Sequence, residues 1–277
     1  MKKIRIILSV STIFIAVTAG YRAMGGAPAA QNIIHVTSVK ELFENIGSNR
    51  TIVCAPGLYD VRNAQGVVTE FLFFKYSEPQ IQHVKGLVIR GVKGVEIING
   101  RNDGFVLIFN DCRDVTLEGL TLGHEKDTEH CHGGVVWFEN TTGIKITKCD
   151  IYGCGLTGIE FDRVKGVSVA DSIIRDCTIC ALSLEECIDV RFDRCTFSGT
   201  EGRTLFYIRR VRDVVIADSA VKNNRSTHLI FGANLMTDRV SVIRSRFENN
   251  AALRLSDSNS RIRFTESVFT GNSFDKK

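Results

Sequence analysis

The chain has 277 residues, of which 44% are hydrophobic and three are proline. This content suits one ordered domain, or two small ones, with a long core. Lysine and arginine outnumber aspartate and glutamate by 35 to 31, and four of the basic residues but no acidic residue precede Gln31. The remainder is near neutral, which argues against a nucleic-acid binder.

The N-terminus has the composition of a targeting segment. Lys2, Lys3 and Arg5 precede an uncharged run over residues 6–20, and small residues follow up to Ala30. This order predicts a Sec-type signal peptide over residues 1–30. An uncleaved anchor is the alternative, but the run is shorter than the roughly 20 residues that span a bilayer as a helix. We therefore expect an extracytoplasmic protein, whether periplasmic, secreted or on the cell surface, with no transmembrane segment after signal removal.

The next segment, residues 31–83, is predicted to hold a helix and the first strands. Ser38 is a suitable N-cap for residues 39–46, where apolar residues recur at helical spacing. Residues 50–59 read as a strand that ends in a Pro-Gly turn.

Seven segments of the remaining chain align with one another. Their starts lie 30, 24, 23, 23, 24 and 24 residues apart, a period that fits one coil of a solenoid. Short stretches with alternating polarity within each coil indicate strands with one buried face. The leucine-rich repeat has a similar period, but its consensus is absent. We predict an all-β, right-handed single-stranded parallel β-helix over residues 84–277, with the N-terminal helix capping its first coil. The segments begin at Phe105, Val135, Ile159, Leu182, Leu205, Leu229 and Leu253.

Aligned coils place small residues in columns, which become ladders about 4.8 Å apart. Buried cysteine and serine are expected to fill the core, and asparagine at a turn can satisfy backbone groups in coil after coil. Two inward columns are Cys112, Thr141, Val164, Cys187, Val211 and Thr237, and Leu120, Cys149, Ser172, Cys195, Ser219, Ser245 and Ser267. The turn column is Cys154, Cys177, Thr200, Asn224, Asn250 and Asn272.

The nine cysteines fit these columns better than a disulfide framework, because their number is odd and the chain is long. Cys154 and Cys177 are nevertheless expected on adjacent coils, with Cys131 near the same column. One disulfide among these three residues therefore stays an open alternative.

The helix, the TIVCAPGLYDV stretch and the coils resemble bacterial right-handed parallel β-helix proteins of the pectin-lyase-like superfamily, from about Ile34 onward. GLTLGHEKDTEHCHGGVVWF followed by CDIYGCGLTGI is similar to a recurrent segment of uncharacterised exported members. The superfamily includes polysaccharide lyases, hydrolases, epimerases and non-catalytic surface proteins, so the fold does not settle the activity. The matching positions are Gly119, His124, Cys131, Gly133, Gly134, Cys149, Tyr152, Gly153, Cys154 and Gly158.

The resemblance implies that a substrate lies along one exposed sheet, formed here by the first strand of each coil. Carboxylates on adjacent strands raise each other's pKa or hold a cation, and aromatic rings suit sugar faces. A lyase would place Ca²⁺ on Glu160, Asp162 and Glu185 with Arg209 as base, whereas a hydrolase would use paired carboxylates. A merely solvated face is the alternative. The outward residues are predicted to be Trp137, Glu139, Glu160, Asp162, Ser183, Glu185, Tyr207 and Arg209.

The longest turn, residues 123–134, is the second candidate surface, because long solenoid turns often form binding sites. His124, His130 and His132 are candidates to contact substrate, to bind a transition metal or to supply a general base. Alternatively, they are ordinary polar loop residues, and His124 bonds to backbone at the turn.

The sequence predicts recognition or modification of a polysaccharide or cell-envelope glycan. A non-catalytic surface or envelope protein is the alternative, since no Ser-His-Asp arrangement, phosphate loop or nucleotide fingerprint is found. Charged residues near the last coil, among them Arg261, Arg263 and Lys277, are expected to keep its edge solvated. We therefore expect a monomer, with an end-to-end dimer as the alternative.

Overall fold

The computed structural model describes residues 32–100, 104–125, 133–153, 156–233, 236–258 and 260–275. The chain divides into two units, Met1–Ala30 and Gln31–Lys277, and every described residue belongs to the second. The predicted signal peptide therefore lies outside the described residues. Within the part of the chain that is described, no helix is long and apolar enough to cross a bilayer.

Three sheets, A, B and C, run along the coils, and successive strands of a coil enter different sheets, so that all pairing is parallel except between β4 and β5. Sheet A contains β1 (Asn32–Val36), β2 (Arg50–Cys54), β6 (Val88–Gly91), β9 (Arg113–Glu118), β12 (Thr142–Thr147), β15 (Lys165–Ala170), β18 (Ile188–Asp193), β21 (Arg212–Ala217), β24 (Asp238–Ile243) and β27 (Ile262–Thr265). Sheet B contains β3 (Gly57–Asp60), β7 (Val95–Asn99), β10 (Thr121–His124), β13 (Asp150–Tyr152), β16 (Ile173–Arg175), β19 (Thr196–Ser198), β22 (Ala220–Lys222), β25 (Arg246–Glu248) and β28 (Val268–Thr270). Sheet C contains β4 (Leu72–Lys75), β5 (Glu78–Gln82), β8 (Leu107–Asn110), β11 (Val136–Glu139), β14 (Thr157–Asp162), β17 (Cys180–Glu185), β20 (Glu201–Arg209), β23 (Arg225–Ala233), β26 (Ala251–Ser256) and β29 (Ser273–Asp275).

These sheets confirm the predicted all-β parallel solenoid. Strands on both sides of the expected boundary at Val84 belong to the same sheets, since β2 pairs with β6 and β3 pairs with β7. The first strands before Val84 are therefore continuous with the coils.

Single residues with left-handed backbone turn the chain from one sheet into the next. At the corner between sheets A and B, φ lies between 46° and 54° in six successive coils. Each of these residues directly precedes a member of a predicted column, as Arg194 precedes Cys195. The sharp turn thus points the small side chain of the next residue into the core. The six corner residues are Lys148, Asp171, Arg194, Asp218, Arg244 and Glu266.

The predicted columns form hydrogen-bonded ladders. The Ser219 hydroxyl accepts from the backbone N–H of Cys195 at 3.0 Å and donates to the Ala217 carbonyl at 2.7 Å. In the turn column, Asn224 Nδ2 donates to Asn250 Oδ1 at 2.9 Å, so each asparagine holds the coil beside it. Buried polar groups that would otherwise lack partners are satisfied in this way.

Every described cysteine is buried and free. Burial raises the pKa of Cys187 to about 12, as expected for a thiol that fills the core rather than reacts. Cys177 therefore forms no disulfide within the described residues, and the other two candidates, Cys131 and Cys154, lie outside them.

Helix α1 (Val39–Glu44) lies between β1 and β2 and ends two residues before the predicted Ile46. The Ser38 hydroxyl accepts from the Glu41 backbone N–H at 3.2 Å, as an N-cap does. The ring of Phe43, which is buried, lies 5.7 Å from that of Phe74. The capping role of this short helix stays a prediction. A 3-10 turn, Val61–Ala64, follows β3.

Candidate functional site

The outward side chains of β8, β11, β14, β17 and β20 form what we call the sheet C face. Strand register brings together all eight residues that the sequence placed there. β8 extends the same rows by two further residues, Ile108 and Asn110. One row is Ile108, Trp137, Glu160, Ser183 and Tyr207, and the other is Asn110, Glu139, Asp162, Glu185 and Arg209.

Stacked aromatic rings hold this face from inside the coil. Phe109 and Phe138 stack with centroids 4.8 Å apart, and Phe138 and Phe161 stack at 5.5 Å. All three side chains are fully buried and alternate with the outward residues of β8, β11 and β14. Packed rings of this kind give the outward side chains a rigid base.

Trp137 is half-buried on the sheet C face, where its ring packs against Phe105 with centroids 5.4 Å apart. Its indole Nε1 is buried and has no hydrogen-bond partner among the described residues. Buried indole N–H groups usually find an acceptor, because an unpaired donor costs about 1–3 kcal/mol. An acceptor supplied by a ligand would remove that cost.

Two acceptors on the same face are also unpartnered. Asn110 Oδ1 and Asp162 Oδ1 are buried, and neither accepts a hydrogen bond from any described residue. They lie in the same row, with Glu139 between them. The sheet C face thus combines one unsatisfied donor with two unsatisfied acceptors. Such groups in a native fold call for an explanation, and a polar ligand is one.

Arginines at the neighbouring corner neutralise part of the carboxylate row. Arg163 forms an ion pair with Glu139 and another with Asp162 at 2.8 Å, while Arg210 forms an ion pair with Glu185. The alternation of the strands did not indicate these two arginines, because each lies one residue beyond an outward strand position. Their left-handed backbone, with φ of 53° and 49°, directs them back along the coil edge.

Glu160 has no ion-pair partner in the described part of the chain. Burial, together with the nearby charges of Asp162 and Glu139, raises its pKa above the usual range. Burial also raises the pKa of Asp162, although Arg163 acts in the opposite direction. A carboxyl group with a raised pKa keeps its proton to a higher pH than an ordinary carboxyl group and can act as a general acid. Glu160 therefore has the environment required of a proton donor.

Arg209 has contacts that stabilise its charged form. Its guanidinium donates to the Tyr207 hydroxyl at 3.2 Å and lies 3.5 Å from Glu185, and these contacts raise its pKa. A base needs a lowered pKa, so these contacts do not favour the predicted role of Arg209 as base, which stays a prediction. With Tyr207, whose side chain is 40% exposed, it offers a polar and aromatic contact surface instead.

Two of the three carboxylates of the predicted Ca²⁺ site lie beside arginines. Ca²⁺ takes 6–8 oxygen ligands in proteins. No group of three or more His, Cys, Asp or Glu side chains in the described ranges is arranged to hold a metal ion. Arg163 forms an ion pair with Asp162, and Arg210 forms one with Glu185. The Ca²⁺ prediction, which used Glu160, Asp162 and Glu185, therefore has no geometric support and stays a prediction.

The long turn departs from its predicted role at its first histidine. His124 belongs to β10 and is 1% exposed, so it is not available to substrate as the sequence predicted. Its Nε2 lies 3.0 Å from the Gly104 carbonyl, which confirms the alternative of a backbone bond. Burial lowers its pKa, so the neutral ring is favoured. His130 and His132 lie outside the described residues.

Comparison with known proteins supports the architecture. The model of the right-handed β-helix region matches residues 106–275. Among solved structures, pectate lyase Pel9A has a TM-score of 0.56 at 10% identity, over 88% of this chain and 77% of that one. Pectate lyase Bsp165PelA from Bacillus sp. N165, in complex with trigalacturonate, has a TM-score of 0.53 at 14% identity, over 90% and 83% of the two chains. A pectate lyase variant from Xanthomonas campestris has a TM-score of 0.52 at 11% identity, over 90% and 83%. At these identities the likeness shows the fold alone. No curated protein matches the sequence.

Proposed function

Because the chain belongs to the right-handed β-helix family, we propose that it is an exported protein that binds a polysaccharide along the sheet C face. The unpartnered Trp137 Nε1, Asn110 Oδ1 and Asp162 Oδ1 carry this proposal. Sugar hydroxyls both donate and accept, so one ligand can satisfy all three atoms. The predicted signal peptide is the support for export.

Two aromatic side chains of the face suit a chain of sugar rings. Trp137 and Tyr207 lie in one row, separated by the strands of Glu160 and Ser183. Three strand spacings of about 4.8 Å place them roughly 14 Å apart. The similarity in fold to pectate lyases, one of them bound to trigalacturonate, supports a polysaccharide as the ligand.

Glu160 gives the face a route to hydrolysis of a glycosidic bond. In this step, Glu160 donates its proton to the leaving glycosidic oxygen while water attacks the anomeric carbon. A neighbouring carboxylate, Glu139 or Asp162, accepts the proton from that water. The raised pKa of Glu160 is the observation that favours this activity over binding alone.

Binding is tested with the purified protein on an array of acidic and neutral glycans, followed by calorimetry with each ligand found. Trp137→Ala should weaken binding by about tenfold or more, since it removes a stacking surface and a buried donor. Tyr76→Ala is the matched control, because this exposed aromatic residue lies in the β4–β5 connection, outside the rows of the face. Equal loss in both variants would contradict the proposal.

A non-catalytic surface protein is the second candidate. The cross-coil arginine pairs on Glu139 and Glu185 favour it, because the same pairing occurs at corners without unpartnered polar groups, as between Arg194 and Asp171. Absence of binding to every glycan on the array, by a protein with a cooperative melting transition, would favour this candidate.

A further inference from the structure

A second polar surface lies at the C-terminal coils. The first residues of β23, β26 and β29, with the corners before them, surround an open depression of 820 Å³. Its lining includes Arg225, Ser226, Leu253 and Ser273. β23 pairs directly with β20, but Arg225 lies opposite Glu201, six residues before Tyr207 of the sheet C face, or roughly 20 Å at about 3.3 Å per residue. The depression is therefore distinct from the sheet C face.

An irregularity in β23 shapes this surface. Relative to both neighbouring strands, β23 carries one extra residue between Arg225 and Leu229. The consecutive residues Thr227 and His228 are both exposed, whereas alternation would bury one of them. Bulges of this kind bend a strand and re-aim its side chains, and they are common beside functional sites.

Ser226 supplies an unsatisfied polar group at the depression. The residue is 6% exposed, and its Oγ is buried without a hydrogen-bond partner among the described residues. The serines of the core ladder, such as Ser219, have both donor and acceptor contacts. Ser226 thus lacks the structural role of its counterparts, and a ligand group in the depression is the partner that it lacks.

Three arginines close to this surface have no ion-pair partner among the described residues. Arg203, Arg225 and Arg254 lie on the adjacent strands β20, β23 and β26, and none makes an ion pair with a described residue. By contrast, the exposed Arg194 and Arg244 are each paired bidentately with an aspartate of the preceding coil. The guanidinium groups near the depression are therefore available to an external anion.

The charge of the whole C-terminal region has the same sign. Residues 201–277 contain 14 lysines and arginines against 8 acidic residues, whereas residues 31–200 contain 17 against 23. The net charge is therefore +6 for residues 201–277 and −6 for residues 31–200. The two charges cancel when they are added, so the total charge does not show this difference. An anionic polymer is therefore attracted more strongly to the C-terminal coils than to the preceding coils.

We infer that the depression binds an oxyanion carried on a sugar, that is, one charged unit of an acidic polysaccharide, through the Arg225 guanidinium and the Ser226 hydroxyl. Arginine offers a planar fork that matches carboxylate and sulfate oxygens, and the serine hydroxyl donates to a further oxygen. Leu253, which is 61% exposed, gives the sugar ring an apolar contact. This site goes beyond the proposed function, because it lies off the sheet C face and specifies the charge of the ligand.

Calorimetric titration of the purified protein tests the site, with trigalacturonate and a sulfated trisaccharide as probes. Binding of either probe supports the oxyanion site and identifies the preferred group. Arg225→Gln should weaken that binding by about tenfold or more, as expected when a hydrogen bond between charged groups is lost. Ser226→Ala should weaken it without lowering the melting temperature, since the hydroxyl makes no bond within the described protein. Arg263→Gln, which removes the same charge from the exposed surface of sheet A, should leave the affinity unchanged.

Several results would overturn the inference. These are binding of neither probe, equal loss in the Arg225→Gln and Arg263→Gln variants, and equal affinity for fully methyl-esterified trigalacturonate. Competition by inorganic phosphate or duplex DNA at the affinity of the sugar probe would also exclude a sugar-specific site. Binding that is lost in Trp137→Ala but kept in Arg225→Gln would reject this site alone and leave the sheet C face as the binding surface.

Discussion

The asparagine ladder and the sheet C face are built by the same repeat, yet they differ in how their polar groups are satisfied. In the ladder, Asn250 accepts from Asn224 and donates to Asn272 and to the Val221 carbonyl. On the sheet C face, Trp137 and Asp162 each retain a buried polar atom without a partner. A repeated coil can therefore satisfy its polar groups in the ladder and leave polar atoms without partners on the sheet C face, where we propose that a ligand binds.

The largest expected effect comes from the core beneath both regions. Cys195 is buried, and its Sγ lies 3.5 Å from the Val169 carbonyl, so Cys195→Trp has no room for the indole. Overpacking by even a few atoms costs about 1–3 kcal/mol, and a tryptophan adds many more. We expect almost no soluble protein from this variant, measured as yield after expression. Lys165→Ala, at an exposed position of sheet A, is the control and should match the wild type; equal yields of the two variants would refute the register.

The ladder itself should show a smaller but definite loss. Asn250→Ala leaves the Asn224 backbone N–H and the Val221 carbonyl without their partners. At about 1–3 kcal/mol for each buried group left unpaired, the free energy of unfolding should fall by about 3 kcal/mol. Urea denaturation measures this, with the exposed Asn63→Ala as control. A loss no larger than that of the control would mean that the ladder does not stabilise the coil.

On the sheet C face, replacing a residue should instead raise stability. The folded-state pKa of Glu160 is raised, so the native state binds more protons than the unfolded state just above the ordinary pKa. The contribution of Glu160 to the free energy of unfolding is therefore favourable at low pH and is lost as the pH rises through the pKa of the folded state. Glu160→Gln should be more stable than the wild type at pH 7, and this advantage should vanish below about pH 4. Denaturation curves across pH measure the difference, and an advantage that instead grows at low pH would contradict the shift.

The smallest effect concerns Ca²⁺. With arginines beside Asp162 and Glu185, millimolar Ca²⁺ should leave the melting temperature unchanged. A melting temperature that rises with the logarithm of Ca²⁺ concentration, and a loss of this response in the Asp162→Ala, Glu185→Ala double variant, would restore the cation site. Thermal denaturation with and without a chelator makes the comparison.

The sequence was sufficient to predict the rows of the sheet C face. Polar and apolar residues alternate along each strand, and the coils repeat at a regular spacing, so both patterns can be recognised without a structure. The same alignment also places Asn110 before Glu139 in its row. The repeat did not predict the ion pairs of Arg163 or the burial of His124. Arg163 reaches Glu139 and Asp162 only because of its left-handed corner, and His124 is buried because β10 extends further than the turn pattern indicated. Both depend on local backbone geometry rather than on polarity.

The most direct test of the account uses the only tryptophan of the chain. Trp137 gives a single indole N–H signal in a ¹H–¹⁵N NMR spectrum, and that N–H is the unsatisfied donor of the sheet C face. Titration with a glycan identified on the array should shift this signal saturably and downfield, as the Nε1–H gains an acceptor, with the same dissociation constant as calorimetry. A glycan that binds by calorimetry but leaves the indole signal unmoved would contradict the claim that the open polar groups of this face are the binding site.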